Sequence, residues 1–165
     1  MDSTLSEKVQ ETEAPKAQLF SLKTSYMKQG RITPLVAKTA NMKINVKINA
    51  EGGENAVHAH LDQDHAFIVL EGEMSIFDEN GNETVVKRYQ GVLLPKGAYY
   101  RYLNTGAGNL VLLRISAPVR DKLPAGMPNR VRPDGEELKR RSAENKDLPP
   151  IIMPGKFFAE SAGLD

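Results

Sequence analysis

The chain has 165 residues, enough for one domain with a core of its own. Lys and Arg total 22 against 21 Asp and Glu, a net charge of +1, so no basic excess points to nucleic acid or to an anionic membrane surface. Cysteine is absent, which excludes disulfides, thiolate metal sites and cysteine nucleophiles; any metal must be held by nitrogen and oxygen.

The opening stretch MDSTLSEKVQETEAPKAQ is polar and acidic, without an apolar run for a signal or spanning segment, and points to a cytoplasmic protein with no membrane partner. Residues 1–17 read as a disordered arm and 18–117 as the globular unit. The segment 31–38, RITPLVAK, is a weak strand broken by Pro34 and suits a sheet edge. Residues 41–49, NMKINVKIN, alternate strictly. Met42, Ile44, Val46 and Ile48 predict a core face, and Lys43, Asn45 and Lys47 a solvated one.

Short strands follow near 56–61, 65–70, 73–78, 83–89, 92–94, 98–103 and 109–116, separated by glycine-bearing turns. Asn80-Gly81 is the strongest hairpin signal, because both residues tolerate positive φ. Many short strands with almost no helix predict an all-β sandwich or barrel. Within it Met74 reads as a core filler, as does Met42. The run Ala66 to Leu70 is apolar on both faces, so a second layer or a second subunit has to cover it, which suggests a homodimer.

Past Ala117, seven of the ten prolines fall between Pro118 and Pro154, which rules out sheet there. One short helix is expected at 134–144 behind Pro133. The stretch PPIIMPGKFF is too apolar for a free tail, so the extension 118–165 should dock on the barrel or on a partner.

All three histidines lie within eight residues. His58 and His60 are two apart on a predicted strand and so share a face, and His65 opens the next strand across a turn. Three neutral imidazoles brought together suit iron, manganese, nickel, copper or zinc. Asp62, Asp64 and Glu54 are the nearby carboxylates, with Asp64 expected to point away from His65.

These residues carry a resemblance. Gly52, five residues, His58-Ala59-His60, four residues, position 65, six residues and Gly72 reproduce the spacing of the first cupin motif, with His65 where that family has Glu. Pro95-Lys96-Gly97, then Tyr100 and Asn104, resemble the second motif, with Tyr100 where the family has its fourth ligand, a His. The likeness covers about 40–116. It implies a cupin, or jelly-roll, β-barrel with a divalent transition metal (Fe, Mn, Ni or Zn) at His58, His60 and His65. Tyr100 would be a fourth ligand or an acid/base group, and Tyr102, on the same strand face, a second catalytic candidate. The two departures fit either a site rearranged around its metal or one that binds metal weakly.

Arg114 interrupts the apolar run NLVLLRIS and needs an anionic partner, either a substrate carboxylate or a structural one such as Glu71 or Glu73. No phosphate loop, dinucleotide fingerprint or serine-nucleophile elbow is present. The function expected is a metal-dependent enzyme acting on a small organic substrate by Lewis-acid or O2 activation, of dioxygenase or lyase, isomerase or cyclase type. The alternative is a cupin that binds a metal or ligand without catalysis.

Overall fold

The computed structural model describes residues 14–119, 122–139 and 148–162, the side chains at 54 and 55 excepted. Among these, β1 (Thr24–Gln29), β2 (Arg31–Ile32) and β3 (Leu35–Lys38) precede β4 (Lys43–Asn49). Then come β5 (Gly52–His60), β6 (Gln63–Glu71), β7 (Glu73–Phe77), β8 (Glu83–Lys87), β9 (Gly91–Leu94), β10 (Tyr100–Asn104) and β11 (Leu110–Pro118). The last strands are β12 (Arg130–Val131) and β13 (Ile151–Phe158), followed by a 3-10 turn at Glu160–Ala162.

Two antiparallel sheets form the sandwich. One runs β2-β4-β11-β6-β9, with β3 also on β4; the other runs β12-β5-β10-β7-β8. Phe67, Val69, Leu94, Leu110 and Leu112 of the first meet Met74, Ile76, Val86, Tyr100 and Tyr102 of the second, and this contact is the main core. The protein is all-β with a jelly-roll architecture. Pro34 splits the weak first segment into β2 and β3, both on the outer side of β4, as a residue without an N–H requires. At Asn80-Gly81, Asp78 Oδ1 accepts from the Asn80 and Asn82 amides at 2.8 and 2.9 Å, closing the β7–β8 hairpin.

The outer face of the first sheet has its own cover. Met27 of β1 packs with Val46, Ile48 and Val111, and Leu22, Tyr26, Leu70 and Phe158 surround them. The second face of the apolar run in β6 is therefore covered, at Leu70, by this chain's own N- and C-terminal segments.

Four expectations fail here. The proline-rich extension contains strands after all: β12 pairs with β5, and β13 pairs with β1. Pro154 and Gly155 (φ +70°) fall in a bulge between the pairs Met27↔Ile152 and Ser25↔Phe157, so neither breaks a ladder bond. The helix expected at 134–144 does not form over 134–139. Gly135 turns the chain at φ +86°, Val131 bridges Glu137, and Leu138 is buried; the remainder lies outside the described residues. Met42 is not a core residue but 43 % exposed, because β4 begins only at Lys43.

The most consequential difference is β4. Lys43 is exposed as expected, but Asn45, Lys47 and Asn49 are buried, and so are Val46 and Ile48 on the opposite face. The apolar face packs outward under β1, and the polar face points into the sandwich. A polar stripe read as facing bulk solvent is the lining of a cavity.

Candidate functional site

His58 and His60 leave β5 on one face, and the β5–β10 ladder sets Tyr100 directly opposite His58. His65 comes from β6, on the facing sheet. His58, His65 and Tyr100 are each at least 97 % buried. Ring centroids lie 5.2 Å apart for His58–His60, 4.9 Å for His60–His65 and 4.7 Å for His58–Tyr100. The structure thus brings together all three histidines and Tyr100.

Hydrogen bonds orient each ring. His58 Nδ1 lies 2.9 Å from the Ala56 carbonyl, which can only accept, and 3.5 Å from the Arg130 guanidinium, which can only donate; the shorter contact favours the proton on Nδ1 and the lone pair on Nε2. Such an outer-shell carbonyl is the usual device for setting a metal-binding imidazole. His65 Nε2 lies 3.2 Å from the Tyr100 hydroxyl. His60 Nδ1 is 3.1 Å from Gln63 Nε2, while Gln63 Oε1 accepts from the Arg114 guanidinium at 3.3 Å. In this arrangement the amide donates to His60 Nδ1, which puts the proton of the neutral ring on Nε2.

The donor chemistry suits a divalent transition metal: three grouped imidazoles, one preset for ligation through Nε2, beside a phenol. As placed, no three His, Asp or Glu side chains among the described residues form a ready cage, and with Gln63 donating to Nδ1, ligation by His60 through Nε2 calls for its other tautomer. The nearby carboxylates are engaged elsewhere. Asp64 is turned outward and accepts from the Lys96 amide at 2.8 Å, and Asp62 accepts from Asn129 at 3.3 Å. The Glu54 side chain lies outside the described residues.

His60 and Tyr100 reach a cavity of about 730 Å³, within the usual range for small-molecule sites. Asn45 and Lys47 of β4, Arg114 of β11, Gln63 of β6 and Arg31 of β2 line it, and Arg130, Leu138 and Leu148 close it from the C-terminal side. Tyr102 does not line it. It is fully buried one register step further along β10, packs on Phe67 at 5.4 Å, and its hydroxyl reaches Asn49 at 3.4 Å. Tyr102 thus packs in the core beside the cavity. Arg114 likewise does not pair with Glu71, which accepts from Tyr26 at 2.8 Å, and its register partners are Asn45 and Phe67.

Sequence reasoning missed Lys47, Arg31, Gln63 and Arg130. For Lys47 the signal was available: in a closed sandwich, strict alternation with apolar residues on the outer face leaves the polar ones inside. Arg130 follows the proline-rich turn, and no local pattern announces that β12 will carry it beside His60.

Residues 46–116 match the cupin domain family. This chain carries a cupin domain. The sandwich agrees: a double-stranded β-helix protein from Klebsiella pneumoniae superposes with a TM-score of 0.50 at 22 % identity, over 58 % of this chain and 83 % of that one. A sugar phosphate isomerase of the cupin superfamily from Silicibacter pomeroyi gives 0.51 at 18 % identity, over 67 % and 82 %. At such identities the likeness is one of fold. In sequence, the uncharacterized protein YdbB of Bacillus subtilis is 37 % identical over 70 residues, 39 % of this cupin and 62 % of YdbB. The match thus spans less than two thirds of that relative. No helix among the described residues is long and apolar enough to cross a membrane.

Proposed function

We propose that this cupin is a metal-dependent enzyme acting on a small organic molecule, with Fe, Mn, Ni or Zn held by His58, His60 and His65. One observation carries the reading: three imidazoles and the Tyr100 phenol are grouped at the head of a cavity of about 730 Å³. A bound divalent ion would supply Lewis-acid or O2 activation. The chain's own residues do the rest. Ala56 fixes the His58 ring, and His60 and Tyr100 face the substrate space. The Tyr100 hydroxyl, held against His65 Nε2 at 3.2 Å, is placed to give or take a proton from a group bound in the cavity. That placement favours lyase or isomerase chemistry, which moves protons, over oxygenation.

A second reading is favoured by one contact. Gln63 donates to His60 Nδ1, an orientation that holds His60 as a hydrogen-bonding residue and suits a cupin that binds its ligand without catalysis. Elemental analysis of the purified protein separates the two. Near-stoichiometric metal, sharply reduced in His65→Ala, supports the enzyme; metal-free protein that also refuses Fe, Mn, Ni and Zn supports the binding cupin.

A further inference from the structure

We infer that the cavity selects a small organic anion, whose carboxylate or phosphate group docks on the guanidinium of Arg114 with Lys47 beside it. The inference deepens the proposed function and takes from it only the position of the imidazoles.

Arg114 lies in the middle of β11 and faces inward. Leu110 and Leu112, of the same parity, are core residues, whereas Val111 belongs to the outer cluster. An inward guanidinium on an apolar strand is costly unless an anion meets it. The hydrogen bond Arg114 makes among the described residues goes to a neutral oxygen, Gln63 Oε1, at a long 3.3 Å. Its flanking strands offer no carboxylate in register, only Asn45 and Phe67. The fork of a guanidinium matches the paired oxygens of a carboxylate or phosphate.

Lys47 is 6 % exposed and lines the same cavity; it is the register partner of Leu112, next to Arg114 along the ladder. Its ammonium lies 5.3 and 4.9 Å from the Phe67 and Tyr102 ring centroids, a placement that holds the charge at the cavity wall. Arg31, Arg130 and Lys139 also line the cavity, and Glu137 is the carboxylate among the described lining residues.

The register sets the length of the ligand. Ser116, two residues along β11 from Arg114, pairs with His65, so the docking site and the imidazole cluster are about 7 Å apart along the strand. A molecule with its anionic group on Arg114 and its reacting carbons a few bonds away spans that interval. Nothing in the register distinguishes a carboxylate from a phosphate.

The test is calorimetric titration of the purified protein, with its metal content measured alongside, using malonate and inorganic phosphate as separate probes. Wild type should bind at least one probe saturably at a single site, and whichever binds more tightly identifies the group. Arg114→Gln should weaken that binding at least tenfold with unchanged metal content. Arg114→Lys, which keeps the charge but loses the fork, should fall between; it carries the same test if Arg114→Gln does not fold. Failure of both probes to saturate, or wild-type affinity in the folded Arg114 variants, overturns the inference. Neither probe needs turnover. A protein without metal that still binds an anion through Arg114 sinks the enzyme reading alone, and a metal-loaded protein indifferent to both probes sinks this one alone.

Discussion

His65 Nε2 and the Tyr100 hydroxyl meet at 3.2 Å and so tie the two sheets together at the head of the cavity. Both residues are buried, Tyr100 to 98 % and His65 to 97 %, so this is an internal polar contact between strands 35 residues apart. Tyr100→Phe removes the hydroxyl and keeps the ring packing against His58 and Phe67. Its expected cost in stability is one hydrogen bond, about 0.5–1.5 kcal/mol by urea denaturation. Metal content should persist if the phenol serves in proton transfer and fall if it ligates, so one variant separates the two roles of Tyr100.

Gly53→Ala should destabilise the protein. A Cβ there would overlap the Tyr102 carbonyl oxygen and stand 3.1 Å from the Tyr102 ring, on the strand that pairs with β5. Backbone has to shift, at a cost of about 1–3 kcal/mol in denaturant melts. The neighbouring Gly52→Ala meets no atom within 4 Å, but its φ of +61° disfavours a side chain, so it should cost less. Equal effects at the two positions would contradict the packing described here.

Much of this was legible in the sequence, for physical reasons. Strands β5 to β11 follow from alternation and glycine turns, because both signals are local. The grouping of His58, His60 and His65 followed from spacing alone, since residues two apart on a strand share a face. What could not be read was which side of a strand faces inward. The polar face of β4 looked solvated because sequence shows alternation without the second layer; β1 and β13, distant in the chain, cover its apolar side and turn Lys47 into the cavity. The same layer hides in the proline-rich tail, where Pro154 tolerates a strand only because a bulge absorbs it. Tyr102 lies away from the cavity for a related reason: sharing a face with Tyr100 does not give it the same depth, and Lys47 lies over its ring.

Alkaline pH should release the β1 cover before the sandwich. Tyr26 donates to Glu71 at 2.8 Å, and its hydroxyl is pushed up to about 12 by burial first and then by that carboxylate. The folded state favours the protonated phenol, so this contribution to stability is whole below the ordinary tyrosine value of about 10 and is lost as pH rises from there towards 12. Thermal melts should therefore show wild type more stable than Tyr26→Phe at pH 8, with the gap closing above pH 10. A gap independent of pH would contradict the Tyr26–Glu71 contact as its source.

The central claim is that the three imidazoles form a metal centre. Optical titration of metal-stripped protein with Co(II) tests it most directly, because nitrogen- and oxygen-ligated cobalt absorbs in the visible and its band reports ligand loss. The account predicts saturation at one equivalent in wild type and loss of the band in His58→Ala, whose ring Ala56 holds ready for ligation. A wild type that develops no band, or a band unchanged in His58→Ala and His65→Ala alike, would contradict it.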